Sequence, residues 1–163
     1  MKIYRVAFFG HRDFCAHHRC EDKLISILKY LINKYEYVDF WVGRNGEFDV
    51  FASSCIKLTK NKYGNNNSSM VLVLPYSTAE YRNNKEYFER FYDEIYICEN
   101  AASSHYKSAI QVRNRYIVDS ANIIICYIER ECGGAYETLR YAKNRGTPII
   151  NLADVEVNET YIV

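Results

Sequence analysis

Residues 113–152, RNRYIVDSANIIICYIERECGGAYETLRYAKNRGTPIINL, constrain the fold more than any other stretch of the chain. The apolar run at 123–128 (IIICYI) is short, rich in isoleucine and preceded by Asp119, Ser120 and Asn122, as expected of a strand covered on both faces. Gly133 and Gly134 then turn the chain. Ala135, Leu139 and Ala142 recur at helical spacing until Gly146, a good C-terminal cap, and Pro148 opens a second apolar run at 149–152. Strand, glycine turn, helix and strand make a right-handed crossover unit with parallel strands. Its glycine turn falls at the carboxyl end of the first strand, where open α/β sheets take their ligands.

The same grammar runs through the amino-terminal half. Residues 3–9 (IYRVAFF) are a strand ending at Gly10, His11, Arg12 and Asp13. Leu24, Ile27, Leu28, Leu31, Ile32 and Tyr35 follow at i, i+3, i+4, i+7, i+8 and i+11, an amphipathic helix after an acidic start at Glu21 and Asp22. Residues 37–42 (YVDFWV) are the next strand, ended by Gly43, Arg44, Asn45 and Gly46. Phe48, Phe51, Ala52, Cys55, Ile56 and Leu58 then make a second helix.

Beyond it, residues 61–69 (NKYGNNNSS) read as a surface loop and 70–74 (MVLVL) as a third buried strand stopped by Pro75. Residues 76–90 lack a clean period and read as loop with some helix at 84–91, and 95–97 as a short strand. Ala109, Val112, Tyr116 and Ile117 place a helix before the central unit, and the tail at 154–163 reads as a short extension or strand. One three-layer, mainly parallel α/β domain spanning 1–163 is the economical reading.

Composition narrows the function. The 163 residues are one domain's length, enough to bury close to ~70% of the surface exposed on unfolding. Lys plus Arg total 21 and Asp plus Glu 20, a net charge of +1, which argues against a nucleic-acid partner and against an anionic membrane. A local basic pocket is still compatible with that balance. Without a leader-like start or an 18-residue apolar run, a cytoplasmic protein is expected. The six cysteines, Cys15, Cys20, Cys55, Cys98, Cys126 and Cys132, lack paired CxxC spacing and read as reduced thiols. His11, Cys15, His17, His18 and Cys20 crowd one loop without a second half-site, so no metal and no cofactor is expected.

In a parallel sheet the turns at Gly10, at Gly43 to Gly46 and at Gly133 to Gly134 share one edge. Glycines there merely satisfy turn geometry when taken singly; three together point to an anionic or nucleotide ligand, because glycine admits close backbone approach and helix N-termini attract phosphate. Arg12 offers a bidentate phosphate contact, and His11 a donor to a phosphate or ribose oxygen. Arg113 and Asn114 are the pocket candidates of the next helix, with Arg115 turned away by ~100° per residue. Glu47 or Asp49 suits a ribose or, equally, the N-terminal end of a helix dipole. Glu137, in the first turn after Gly133 and Gly134, is the best-placed acid if a glycosidic bond is cut.

The GHR turn at 10–12, WVGRNGEFD at 41–49, and RNRYIVDSANIIICYI with GGAYETLRYAKNRGTPI at 113–149 together resemble the SLOG superfamily, in particular its small stand-alone bacterial members with a GHR-type first loop. The likeness covers the three turns in order and most of the chain outside 61–109. It implies a Rossmann-like fold, self-association as a homodimer, and a nucleotide or nucleotide-derived ligand such as an ADP-ribose-type signal or a nucleoside monophosphate. Gly10, His11, Arg12, Gly43, Arg44, Gly46, Glu47, Asp49, Arg113, Asn114, Gly133, Gly134, Ala135 and Thr138 would hold it.

The related Lonely Guy phosphoribohydrolases cut an N-glycosidic bond with an arginine before the central strand and a glutamate in a PGGxGTxxE turn. Arg113 matches the arginine, but residues 132–140 read CGGAYETLR, with Arg140 where that glutamate falls. Binding is therefore expected ahead of cleavage, with Glu137 as the catalytic acid of the hydrolase alternative. A further branch, the DNA-processing protein A type, implies binding to single-stranded nucleic acid as a second alternative.

Overall fold

The computed structural model describes residues 1–63 and 66–154. Its backbone is a six-stranded, wholly parallel sheet in the order β4-β3-β2-β1-β5-β6. The strands are β1 (Ile3–Gly10), β2 (Tyr37–Val42), β3 (Ser68–Leu74), β4 (Glu94–Ile97), β5 (Ile123–Tyr127) and β6 (Ile149–Asn151). The helices are α1 (His17–Lys34), α2 (Glu47–Tyr63), α3 (Ala79–Asn83), α4 (Lys85–Phe91), α5 (Glu99–Ala102), α6 (Tyr106–Ser120) and α7 (Gly133–Arg145). The chain builds outward from β1 to β4, returns through α6, and resumes with β5 on the other side of β1. That reversal of direction is the topological switch point of an open α/β sheet.

Alternation along the strands supplies two cores. Val6, Phe8, Phe40, Met70 and Leu72 face α1 and α2, with Leu24, Leu28, Phe48, Ala52 and Ile56 packed on them. Ala7, Phe9, Trp41, Val73, Ile124 and Cys126 face the other way, onto Ile117, Val118, Leu139 and Ala142 of α6 and α7. Both faces of the central strands are buried, which is why β5 is apolar throughout. Gly146 ends α7 in the left-handed conformation, φ +72°, its N–H bonded back to the last turn. Among the described residues, no helix is long and apolar enough to cross a membrane. All six cysteines are unpaired, four of them buried.

Several expected boundaries move. α1 begins at His17 rather than near Glu21, because Cys20 extends the buried Leu24–Ile27–Leu28 stripe by one turn, and His17, His18 and Cys20 are therefore helical. The helix expected at 84–91 forms as α4, and the residues before it, expected as loop, hold the further short helix α3, capped by the Thr78 hydroxyl accepting from the Tyr81 N–H. The 61–69 loop shrinks at both ends. α2 runs to Tyr63, with Leu58 on its exposed side, and β3 starts at Ser68. The expected strand or extension at 155–163 lies outside the described residues.

A buried lysine explains the long α2. Lys60, 5% exposed, donates to Asp93 Oδ2 at 2.7 Å and to the Ser68 carbonyl at 2.6 Å, while the Met70 N–H donates to the same carboxylate oxygen at 2.6 Å. One carboxylate thus ties α2, the start of β3 and the approach to β4. Asp93→Ala is expected to cost about 1–3 kcal/mol, below the figure for a fully buried pair because Asp93 is half exposed, as read by urea denaturation. A loss under about 0.5 kcal/mol would show that solvent replaces the carboxylate.

Candidate functional site

The loops after β1 and β5 diverge at the switch point and open a cavity of about 600 Å³ at the carboxyl edge of the sheet. Its floor is Phe9, Gly10 and His11. α6 supplies Lys107, Ile110, Gln111, Arg113 and Asn114, and the amino end of α7 supplies Cys132, Gly133, Gly134 and Ala135. Arg12, Asp13, Asn45, Asp49 and Arg130 complete it.

Arg113 dominates the site. It is 3% exposed, its Nε has no hydrogen-bond partner, and it sits beside Asp49, itself 7% exposed. Gly43 makes room for both. A β-carbon there would stand 2.5 Å from Arg113 Nη1 and 2.9 Å from Asp49 Oδ2. Burial pushes the Asp49 carboxyl up, opposed by Arg113 and by the Asn45 N–H, which donates to Asp49 Oδ2 at 2.8 Å. Burial lowers the Arg113 guanidinium, opposed by Asp49. A guanidinium starts so far above neutrality that it stays charged. A buried cation that lines a cavity is a candidate contact for an anion.

The amino end of α7 adds a second attraction. Gly133 adopts φ +88° with open space where a side chain would project, while the Gln111 amide lies against Gly134, so the amino end of α7 borders the cavity beside α6. Cys132 caps the helix by position only, its side chain making no cap hydrogen bond. Asn114 donates to Thr138 Oγ1 at 3.0 Å, and Thr138 donates to the Gly134 carbonyl at 2.8 Å, which locks α6 against the first turn of α7. Arg130 makes a bidentate pair with Asp13 at 2.9 and 2.6 Å across the mouth.

His11 is a buried acceptor. Its Nε2 receives the N–H groups of Glu129 and Arg130, both at 3.2 Å, which places the neutral ring's proton on Nδ1. The imidazole thereby pins the loop after β5, a role the sequence did not suggest.

The turns expected to share one edge do so, but the candidate residues divide between two places. Gly10, His11, Arg12, Asp49, Arg113, Asn114, Gly133, Gly134 and Ala135 line the cavity, Gly43 lies beneath it, and Arg115 points away over the Tyr141 ring. Arg44, Gly46 and Glu47 line a neighbouring groove of about 490 Å³. There Arg44 donates to Glu80 at 2.9 Å and to the Tyr92 hydroxyl at 3.3 Å, and Glu47 accepts the Phe14 N–H at 2.9 Å. Glu137 is exposed, pairs with Arg140 at 3.3 Å and lines neither; Thr138 is buried behind Gly134. Lys107, Gln111 and Arg130 belong to the cavity and were missed. Lys107 and Gln111 were findable, because they share the spacing of Asn114 at i, i+4 and i+7.

No family model and no curated protein matches the chain. Two solved structures share its fold: the DNA processing protein A of Helicobacter pylori, at TM-score 0.60 and 16% identity, and that of Streptococcus pneumoniae, at 0.63 and 15%. Each alignment covers 90% of this chain, and the chain spans 63% and 49% of those proteins. The Helicobacter pylori protein binds single-stranded DNA. That finding corrects the argument from net charge against a nucleic-acid partner. A net charge of +1 sums every face of the molecule, whereas a ligand meets one edge. At that edge Arg12, Lys107, Arg113 and Arg130 face only Asp13 and Asp49.

Burial, together with Arg130, holds the His11 imidazole below its ordinary 6.5. A base depressed in the folded state contributes stability that is whole above the unfolded value and is lost as pH falls below it. The melting temperature should therefore drop between pH 6.5 and 5.5 more steeply for wild type than for His11→Gln, whose amide oxygen can accept the same two N–H groups. Parallel curves would show that His11 does not anchor the loop through a neutral ring.

Proposed function

We propose that the chain is a SLOG-like domain that binds single-stranded nucleic acid, with one backbone phosphate held in the cavity between Arg113 and the amino end of α7. The observation that carries this reading is the buried, under-partnered Arg113 guanidinium lining a cavity that the amino end of α7 also borders. A surface arginine would say little; a buried one with a donor to spare asks for an anion.

An exposed aromatic favours a strand over a free phosphate. Tyr106 is 65% exposed at the start of α6 and shares a helix face with Ile110 and Arg113 at i, i+4 and i+7. This exposed ring, two turns from the phosphate position, has the His105 ring tilted against it at 4.8 Å and Lys107 Nζ 6.0 Å over it, and its remaining surface is a platform for an unpaired base. The fold shared with a protein that binds single-stranded DNA is consistent with this use.

A second reading rests on cavity size. About 600 Å³ lies within the range of small-molecule sites, which suits a nucleoside monophosphate or an ADP-ribose-type ligand bound without cleavage. Glu137, turned to solvent and paired with Arg140, lends no support to hydrolysis.

Fluorescence anisotropy with a labelled oligothymidylate separates these readings. Binding is expected to weaken with salt, and Lys107→Ala to lower the slope of log K against log salt by about 1. Tyr106→Ala should cost about 1–3 kcal/mol if the ring stacks on a base. Failure to bind at low salt, or equal binding by wild type and Lys107→Ala, would overturn the single-strand reading. Full displacement of the oligomer by thymidylate at the oligomer's own affinity would favour the mononucleotide.

A further inference from the structure

The groove that received Arg44, Gly46 and Glu47 is left unused by the cavity alone. It lies between α1, α2 and α3, and its walls are largely apolar, presenting Val50, Phe51 and the His17 ring. The His17 ring stands edge-on to Phe51 at 5.2 Å and tilts against Phe14 at 4.7 Å, so the wall is aromatic in depth. Val50, 47% exposed, and Ser54 lie one helical turn apart on the open side of α2.

The charges in this groove are mostly spoken for. Glu80 accepts from Arg44, and Glu47 accepts from the Phe14 N–H. Arg44 also rests over the Phe88 ring at 4.9 Å. Arg12 differs. Its side chain is exposed, it lines both the groove and the cavity, and no ion pair among the described residues engages it. The Glu47 N–H donates to the Arg12 carbonyl at 2.8 Å, which fixes the backbone of the divide between the two hollows.

An apolar slot of about 490 Å³, joined to a cationic cavity by one unpaired arginine, has the shape of two adjoining nucleotide positions. Resting on the single-strand reading of the cavity, we propose that this groove takes the nucleobase of the adjacent nucleotide, with Arg12 holding the phosphate that links the two. The base packs on Val50 and the His17 ring. Phe51 closes the floor, and the sugar-phosphate passes over Gly46.

Calorimetry with thymidylate and with a thymidine hexanucleotide tests the groove apart from the cavity. Wild type is expected to bind the hexanucleotide at least tenfold more tightly than thymidylate. Val50→Glu and Ser54→Glu, both at exposed positions and both checked for native circular dichroism, should each lower hexanucleotide affinity about tenfold while leaving thymidylate within twofold. If both variants bind the hexanucleotide as wild type does, the groove is not a base site, although the cavity reading stands. If wild type binds neither ligand, the cavity reading and the groove fall together.

Discussion

A guanidinium buried beneath a glycine is the constraint on which the rest of the carboxyl edge depends. Arg113 leaves α6 for the space under Gly43, where a side chain of any kind would collide with it, and lies within electrostatic reach of Asp49 from the start of α2. Their electrostatic attraction acts between three elements: Asp49 opens α2 and accepts the Asn45 N–H of the turn after β2, while Arg113 comes from α6. Burying two charges carries a large desolvation cost, and a pair that leaves Arg113 Nε unpartnered offsets that cost incompletely. Such an arrangement is a costly one for stability alone.

Around that cation the remaining contacts act as positioning. Asn114 and Thr138 clamp α6 to α7 so that the α7 N–H groups lie beside Arg113. His11 accepts two backbone N–H groups and fixes the loop that carries Arg130, which is itself held by Asp13. The Gly133 turn leaves open space at the first residue of α7, while Gln111 packs against Gly134. These devices gather at the carboxyl edge of the sheet, on the loops after β1 and β5 and on α6 and α7, and none contributes to the apolar cores that hold the layers together.

Much of this was legible in the sequence because it depends on local pattern. The strand–turn–helix units around Gly10, Gly43 and Gly133 follow from apolar periodicity and glycine punctuation, as does the parallel sheet. The turn of ~100° per residue separated Arg113 from Arg115. What escaped depends on partners distant in sequence. Lys60 prolongs α2 where Asp93, distant in sequence at the approach to β4, receives it. Asp49 does stand in the first turn of α2, as the dipole reading expected, but it is also buried beside Arg113, and Arg44 is drawn off by Glu80 and Tyr92. Net charge misled because it has no direction; the cations of the edge are balanced by acids elsewhere on the molecule.

The central claim is that the Arg113 guanidinium receives a nucleic-acid phosphate. Nuclear magnetic resonance of the arginine side-chain N–H groups reads it directly during titration with a short oligothymidylate. The account predicts that the Arg113 Nε–H signal, lacking a partner in the free protein, shifts progressively and saturates at the same ratio as overall binding. Saturated binding with the Arg113 signal unmoved, and only surface arginines such as Arg115 or Arg140 perturbed, would contradict it.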